Sequence, residues 1–125
     1  MSAFLTDLIT RMSRPEGRKR NTYWLTAPLV YQSEILGRIE VPVGFQTDFA
    51  SIPRIAWRYI DPEDPCIAYP SVIHDHLYST QACSRETADQ VLREAMQVAG
   101  ARIDQRAVVY RMVRLFGGSY WKPSP

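Results

Sequence analysis

Gly44-Phe45-Gln46-Thr47-Asp48-Phe49-Ala50-Ser51-Ile52-Pro53-Arg54 is the stretch on which the reading of this chain turns. Before it, the sequence is β-branched and aromatic and alternates with a period of two. After it, apolar residues recur at helical spacing. Gly44 is a turn residue. Ser51-Ile52-Pro53 has the form of a helix start, with a hydroxyl for the cap and a proline near the first helical position. The expected fold class is therefore α+β: an N-terminal antiparallel β-hairpin or small sheet, followed by three to four packed α-helices.

Toward the N-terminus, Ile35, Ile39, Val41 and Val43 alternate with Glu34, Arg38 and Glu40, which predicts a strand with one buried and one wet face. Gly37 within it suggests a bulge. Thr22 to Gln32 is also strand-like, but Pro28 cannot donate to a ladder, so an edge strand or two short pieces is expected. Ser33-Glu34 reads as the turn between the two. Farther out, Phe4, Leu5, Leu8, Ile9 and Met12 would share one face of a short helix over 3–12, ended by Arg14-Pro15. Pro15 to Asn21 reads as a linker. Residues 1–20 are thus taken as an amphipathic, basic arm and 21–125 as a single domain.

Toward the C-terminus, Ile52, Ile55, Ala56, Tyr59 and Ile60 predict a first helix, ended by the acidic loop Asp61-Pro62-Glu63-Asp64-Pro65. Pro70 is expected to open a second helix that ends near Ser79-Thr80. Ser84 is a good cap for a third, Arg85 to about Ala99, with Gly100 after it. Its inward face is Ala88, Val91 or Leu92, Ala95, Met96 and Ala99. Asp104 can cap a fourth helix, Gln105 to Phe116, stopped by Gly117-Gly118. Ser119-Tyr120-Trp121-Lys122-Pro123-Ser124-Pro125 is an aromatic and proline tail.

At 125 residues, with 46% apolar and 22% charged side chains, the chain reads as one globular, soluble domain with a real core. No run reaches the roughly 20 apolar residues of a membrane helix. The N-terminus carries Asp7 and is not continuously apolar, so it is a poor secretory signal. Cys66 and Cys83 are accordingly expected as free thiols, without zinc-like spacing. Residues 1–20 carry five basic side chains against Asp7 and Glu16, a net of +3, whereas the other 105 carry ten basic and eleven acidic ones. The basic character belongs to the arm, which suits contact with an acidic surface. Without a basic stripe of interleaved aromatics, nucleic-acid binding by the folded part is not expected.

Polar residues concentrate in three places: Thr47, Asp48, Ser51 and Arg54; His74, Asp75 and Tyr78; Arg85 and Asp89. His74 and Tyr78 stand four apart and share a helix face, with Asp75 about 100° round. Arg85 and Asp89 are also four apart and can pair. The three stretches are expected to meet in one polar network. Two readings of it stand side by side. In one, arginines neutralise buried carboxylates and tie the central loop to the helices. In the other, His74, Asp75, Asp48 and Tyr78 are catalytic candidates, with His74 as acid/base oriented by a carboxylate. No cofactor is expected. A divalent metal is the open alternative, with Asp48, His74 and Asp75 as ligands. His74 and His76 point about 200° apart on a helix and cannot grip one ion together. Ser51 reads as a cap rather than a nucleophile, and neither cysteine has an activating neighbour.

Taken in order, Val41-Pro42-x-Gly44-Phe45-x-Thr47-Asp48-x-Ala50-Ser51-Ile52-Pro53-Arg54, Ile73-His74-Asp75-x-Leu77-Tyr78, Ser84-Arg85-x-x-Ala88-Asp89, Glu94-Ala95-Met96, Val113-Arg114-x-Phe116-Gly117 and Trp121 resemble a bacteriophage and prophage family. It is catalogued as domain of unknown function 1353, and the resemblance covers about residues 22–121. It implies an origin near virion-assembly and lysis functions, with a virion or the host cytoplasm as the expected location, and carries no established activity. Three functions are weighed on this basis: a virion (tail) component or assembly factor acting through other phage structural proteins or a homo-oligomer; a small metal-dependent or His-Asp hydrolase directed at cell-wall material; and an inhibitor that binds a host protein.

Overall fold

The computed structural model describes residues 1–13, 22–48 and 52–121. They form an α+β arrangement of two three-stranded antiparallel sheets and three α-helices. The first sheet has the order β1 (Ala3–Phe4), β4 (Leu29–Ser33), β5 (Gly37–Val41). The second has the order β2 (Thr10–Ser13), β3 (Thr22–Leu25), β6 (Gln46–Thr47). The helices are α1 (Pro65–Thr80), α2 (Arg85–Val98) and α3 (Ile103–Phe116). Short 3-10 helices at Arg54–Arg58 and Gly117–Tyr120 flank them.

The expected hairpin is β4–β5, with Leu29 opposite Val41, Tyr31 opposite Ile39 and Ser33 opposite Gly37. Gly37 is no bulge; it closes the turn at φ 79°, where a Cβ would be strained. Pro28 does divide the preceding segment into two pieces, and the pieces go to different sheets: β3 to one, β4 to the other. The chain crosses back at Pro42–Phe45. There Gly44, at φ 88°, donates its N–H to Leu25 O, and Leu25 N–H donates to Phe45 O.

The helix expected over 3–12 is not formed; its residues supply β1 and β2. Two hydroxyls of this segment bond the chain around the first sheet. Ser2 Oγ accepts from the Glu34 N–H. Thr6 Oγ1 donates to Pro28 O and accepts from Val30 N–H, bridging the gap where β4 begins. These partners lie 22 to 32 residues along the chain, beyond the reach of a local reading. Of the expected apolar face, Phe4 and Leu8 pack on the core, while Leu5, Ile9 and Met12 remain exposed. The stop at Arg14-Pro15, the linker to Asn21, Ser51 and the tail from Lys122 onward lie outside the described residues.

Two apolar clusters share α1 and α2. One joins Leu29, Tyr31 and Val41 of the first sheet to Val72, Ile73 and Val91. The other joins Ile52, Ala56 and Ile60 to Ile67, Leu92 and Met96 and to Val109 and Val113 of α3. Each fully buried aliphatic side chain contributes roughly 1.5–3 kcal/mol. Because α1 serves both clusters, it is buried at every position from Ile67 to His74 except the half-buried Tyr69, and lacks a polar stripe. It also begins one and a half turns earlier than Pro70 suggests. Pro65 takes the first helical position and Asp64 caps it, accepting from Cys66 N–H, while Pro70 sits inside the helix. The acidic loop is therefore partly a cap. The first expected helix is only a 3-10 turn: Ile52, Ala56 and Ile60 face inward, whereas Ile55 and Tyr59 face solvent. Ser84 caps α2 as expected, its Oγ accepting from Thr87 N–H. Ala99 ends that helix as its C-cap, and Gly100 follows at φ 91°. Of the apolar band on α3, Val109 and Val113 are buried, while Leu115 and Phe116 are exposed.

Candidate functional site

The site is built at the meeting of three helix ends. His74 and Tyr78 project from one face of α1, one turn apart, with ring centroids 4.2 Å apart. Both converge on Asp89 of α2. His74 Nε2 lies 2.7 Å from Asp89 Oδ1, and Tyr78 Oη donates to the same oxygen at 2.6 Å. The second carboxylate oxygen accepts from Arg114 Nη1 of α3 at 2.7 Å. Side chains of His74 and Asp89 are 0% exposed.

Three donors, one of them a guanidinium, surround one carboxylate. Burial alone would push Asp89 up, but the hydrogen bonds from His74, Tyr78 and Arg114 together outweigh it and hold the carboxyl below its ordinary value of 3.8. Burial pushes His74 the other way, below 6.5, against the pull of Asp89. The pair is therefore carboxylate and neutral imidazole. An ionised carboxylate only accepts, so the imidazole proton sits on Nε2. Tyr78 is held well above its ordinary value by burial and by donating to Asp89.

Arg85 takes a different partner from the one its spacing suggests. It does not pair with Asp89. Its Nε donates to Tyr78 Oη at 3.2 Å, and its Nη2 donates to the carbonyls of Val113 and Arg114 at 2.6 and 3.0 Å. A cation in the first turn of α2 is poorly placed for that helix. At the C-terminal carbonyls of α3 it is well placed. Gly117 allows the approach: a Cβ there would meet Tyr78 Oη at 3.1 Å and Arg85 Nη2 at 3.4 Å. Trp121 closes the outer side, edge-on to Tyr78 at 5.1 Å.

The central loop reaches the same helix one residue on. Thr47 of β6 is buried, and its hydroxyl donates to Asp75 of α1. Asp48 follows and is half-buried. Ser51 lies outside the described residues. Arg54 does not join the network: it is exposed, with its guanidinium 6.0 Å from the Trp57 ring centroid. The residues expected to meet thus form one cluster of His74, Tyr78, Arg85 and Asp89, and beside it a Thr47–Asp75 pair. Arg114 and Gly117 complete the cluster. Both stand in the motif Val113-Arg114-x-Phe116-Gly117, the one signal that could have placed them in it. His76 is no surface histidine; it is half-buried, with its ring 5.4 Å from Phe45.

A second carboxylate of α2 does similar work toward the sheet. Glu94 Oε1 accepts from Tyr31 Oη at 2.6 Å and Ser33 Oγ at 2.7 Å, and Oε2 from Glu34 N–H at 3.2 Å.

Among the described residues, no group of three or more His, Cys, Asp or Glu is placed to hold a metal ion; Asp48, His74 and Asp75 do not form one. Both cysteines are free, and burial raises both thiols, Cys66 to about 11, which leaves neither as an activated nucleophile. A general base must touch the proton it takes. The imidazole of His74 is enclosed and already bonded, so this arrangement locks three helices together. Among the described residues, no helix is long and apolar enough to cross a membrane.

A family model described as "Protein of unknown function (DUF1353)" matches residues 23–113. No curated protein matches the chain. No solved structure matches it either.

Proposed function

This chain belongs to the DUF1353 family, and from that premise we propose that it is a virion (tail) component or assembly factor that works through protein–protein contacts. The observation that carries this reading is a contrast of exposure. The polar cluster around Asp89 is closed, with its imidazole fully buried, while large apolar side chains face outward: Ile103 is 75% exposed and Leu115 and Tyr59 are 66% exposed. Exposed apolar side chains of this size suit contact surfaces. A buried, fully bonded histidine suits scaffolding. The phage setting rests on the family resemblance, not on the geometry.

The test is particle composition. Mass spectrometry of purified particles from a phage or prophage encoding the chain should find it at a fixed copy number; for an assembly factor, deletion should leave tailless or defective particles. Absence from particles together with normal assembly after deletion overturns the reading.

A further inference from the structure

A groove of about 680 Å³ runs between α2 and α3, lined by Arg93, Glu94, Arg106, Tyr110, Ile103 and Ile35 among others. Two cations stand in its lining against one acid, a formal net charge of +1. The Arg93 guanidinium lies 4.3 Å from the Tyr110 ring centroid, and Arg106 donates only to the Ala101 carbonyl. Neither guanidinium has a carboxylate partner among the described residues. The one carboxylate in the lining, Glu94, is turned to the sheet by Tyr31, Ser33 and the Glu34 N–H; these neutral donors hold it in place without cancelling its charge, so the excess over it is a single cation. Beside these cations, Ile103 and Ile35 are exposed. The groove therefore suits an anionic segment that also carries an apolar or aromatic side chain.

The chain itself displays such a segment. Asp61, Glu63 and Asp64 are exposed in the loop before α1, and Tyr59 stands exposed two residues earlier. Glu63 makes no ion pair among the described residues. Pro62 and Pro65 restrict the loop, which lowers the ordering cost of docking it. Among the described residues, neither these acids nor the two arginines have charged partners. We propose that the α2–α3 groove receives the Tyr59–Glu63 loop of a second copy of this chain, the acids meeting Arg93 and Arg106 and Tyr59 covering Ile103 or Ile35. This deepens the assembly reading by naming one partner. Particle composition tests that reading and self-association of purified protein tests this one, so the two can fail separately.

The experiment is sedimentation velocity on the full chain at about 0.02 M and about 0.5 M salt, since exposed charge pairs are screened over that range. The mass of the wild-type protein should rise with concentration at low salt and return to monomer at high salt. Arg93→Glu and Glu63→Arg should each weaken association roughly tenfold or more. Mixed together, the two variants should associate again, because a reversed groove meets a reversed loop. Thermal melts confirm that both variants fold; Tyr59→Ala, an exposed change, supplies a third weakened variant. Wild-type protein that stays monomeric at low salt overturns the proposal, as does association that neither reversal weakens or that the mixture does not restore. Capture of an unrelated acidic peptide by a monomeric wild-type protein likewise overturns it.

Discussion

Helix α2 carries two carboxylates that bind its neighbours in opposite ways. Asp89 is fully buried between α1 and α3 and remains ionised, with a guanidinium on one oxygen and an imidazole and a phenol on the other. Glu94 stands one and a half turns on, half-buried, and is held by two hydroxyls and a backbone N–H with no cation in contact. Neutral donors suffice where water still reaches the carboxylate. Where water is excluded, a counter-charge is needed, because an uncompensated buried ion is far more costly than an unmet neutral hydrogen bond.

The difference is measurable in urea or thermal unfolding. Asp89→Ala removes the centre of the cluster and strands three donors; it should cost about 3–5 kcal/mol, the range for breaking a buried pair. Arg114→Met leaves the fully buried carboxylate without its counter-charge and should cost a similar amount, about 3 kcal/mol. The pH dependence of stability should show the same pair. The imidazole of His74 is held below 6.5 by burial, so the unfolded chain takes up the proton first. Stability is then full above that value and falls as pH drops below it, by up to about 1.4 kcal/mol per pH unit. His74→Gln should flatten the profile in that window. Asp89, also held low, adds a second loss only below the ordinary carboxylate range. Glu94→Gln keeps one acceptor oxygen and should cost about 1 kcal/mol. Arg93→Glu, on the open groove, should leave folding stability within about 0.5 kcal/mol. If Glu94→Gln proved as damaging as Asp89→Ala, the role assigned to the counter-charge would be wrong.

Much of the cluster could be read along the chain. The four-residue spacing of His74 and Tyr78 put them on one face, and Ser84 set where α2 begins and hence where Asp89 points. The spacing of Arg85 and Asp89 misled. Four residues make a pair available without making it the best on offer: Arg114 reaches the carboxylate from α3, and Arg85 finds the bare carbonyls at the end of that helix. Arg54, expected in the network, stays outside because its short 3-10 helix turns it to solvent and Trp57. The 3–12 segment misled in a similar way. Its apolar spacing fits a helix, yet Ser2 and Thr6 bond the backbone of the first sheet.

The α+β class, the antiparallel hairpin and the Ser84 cap of α2 were settled by the sequence alone, since periodicity, turn glycines and capping hydroxyls act within a few residues; the cap of α3 was not, for Arg102 stands at the position expected of Asp104. Tertiary structure decided the division of Thr22–Ser33 between two sheets, the strand pairing of residues 3–13 and the choice of Arg114 over Arg85. Each of these is a competition between a local partner and a distant one. It is resolved only when packing brings the distant group within bonding distance and excludes the water that would otherwise serve.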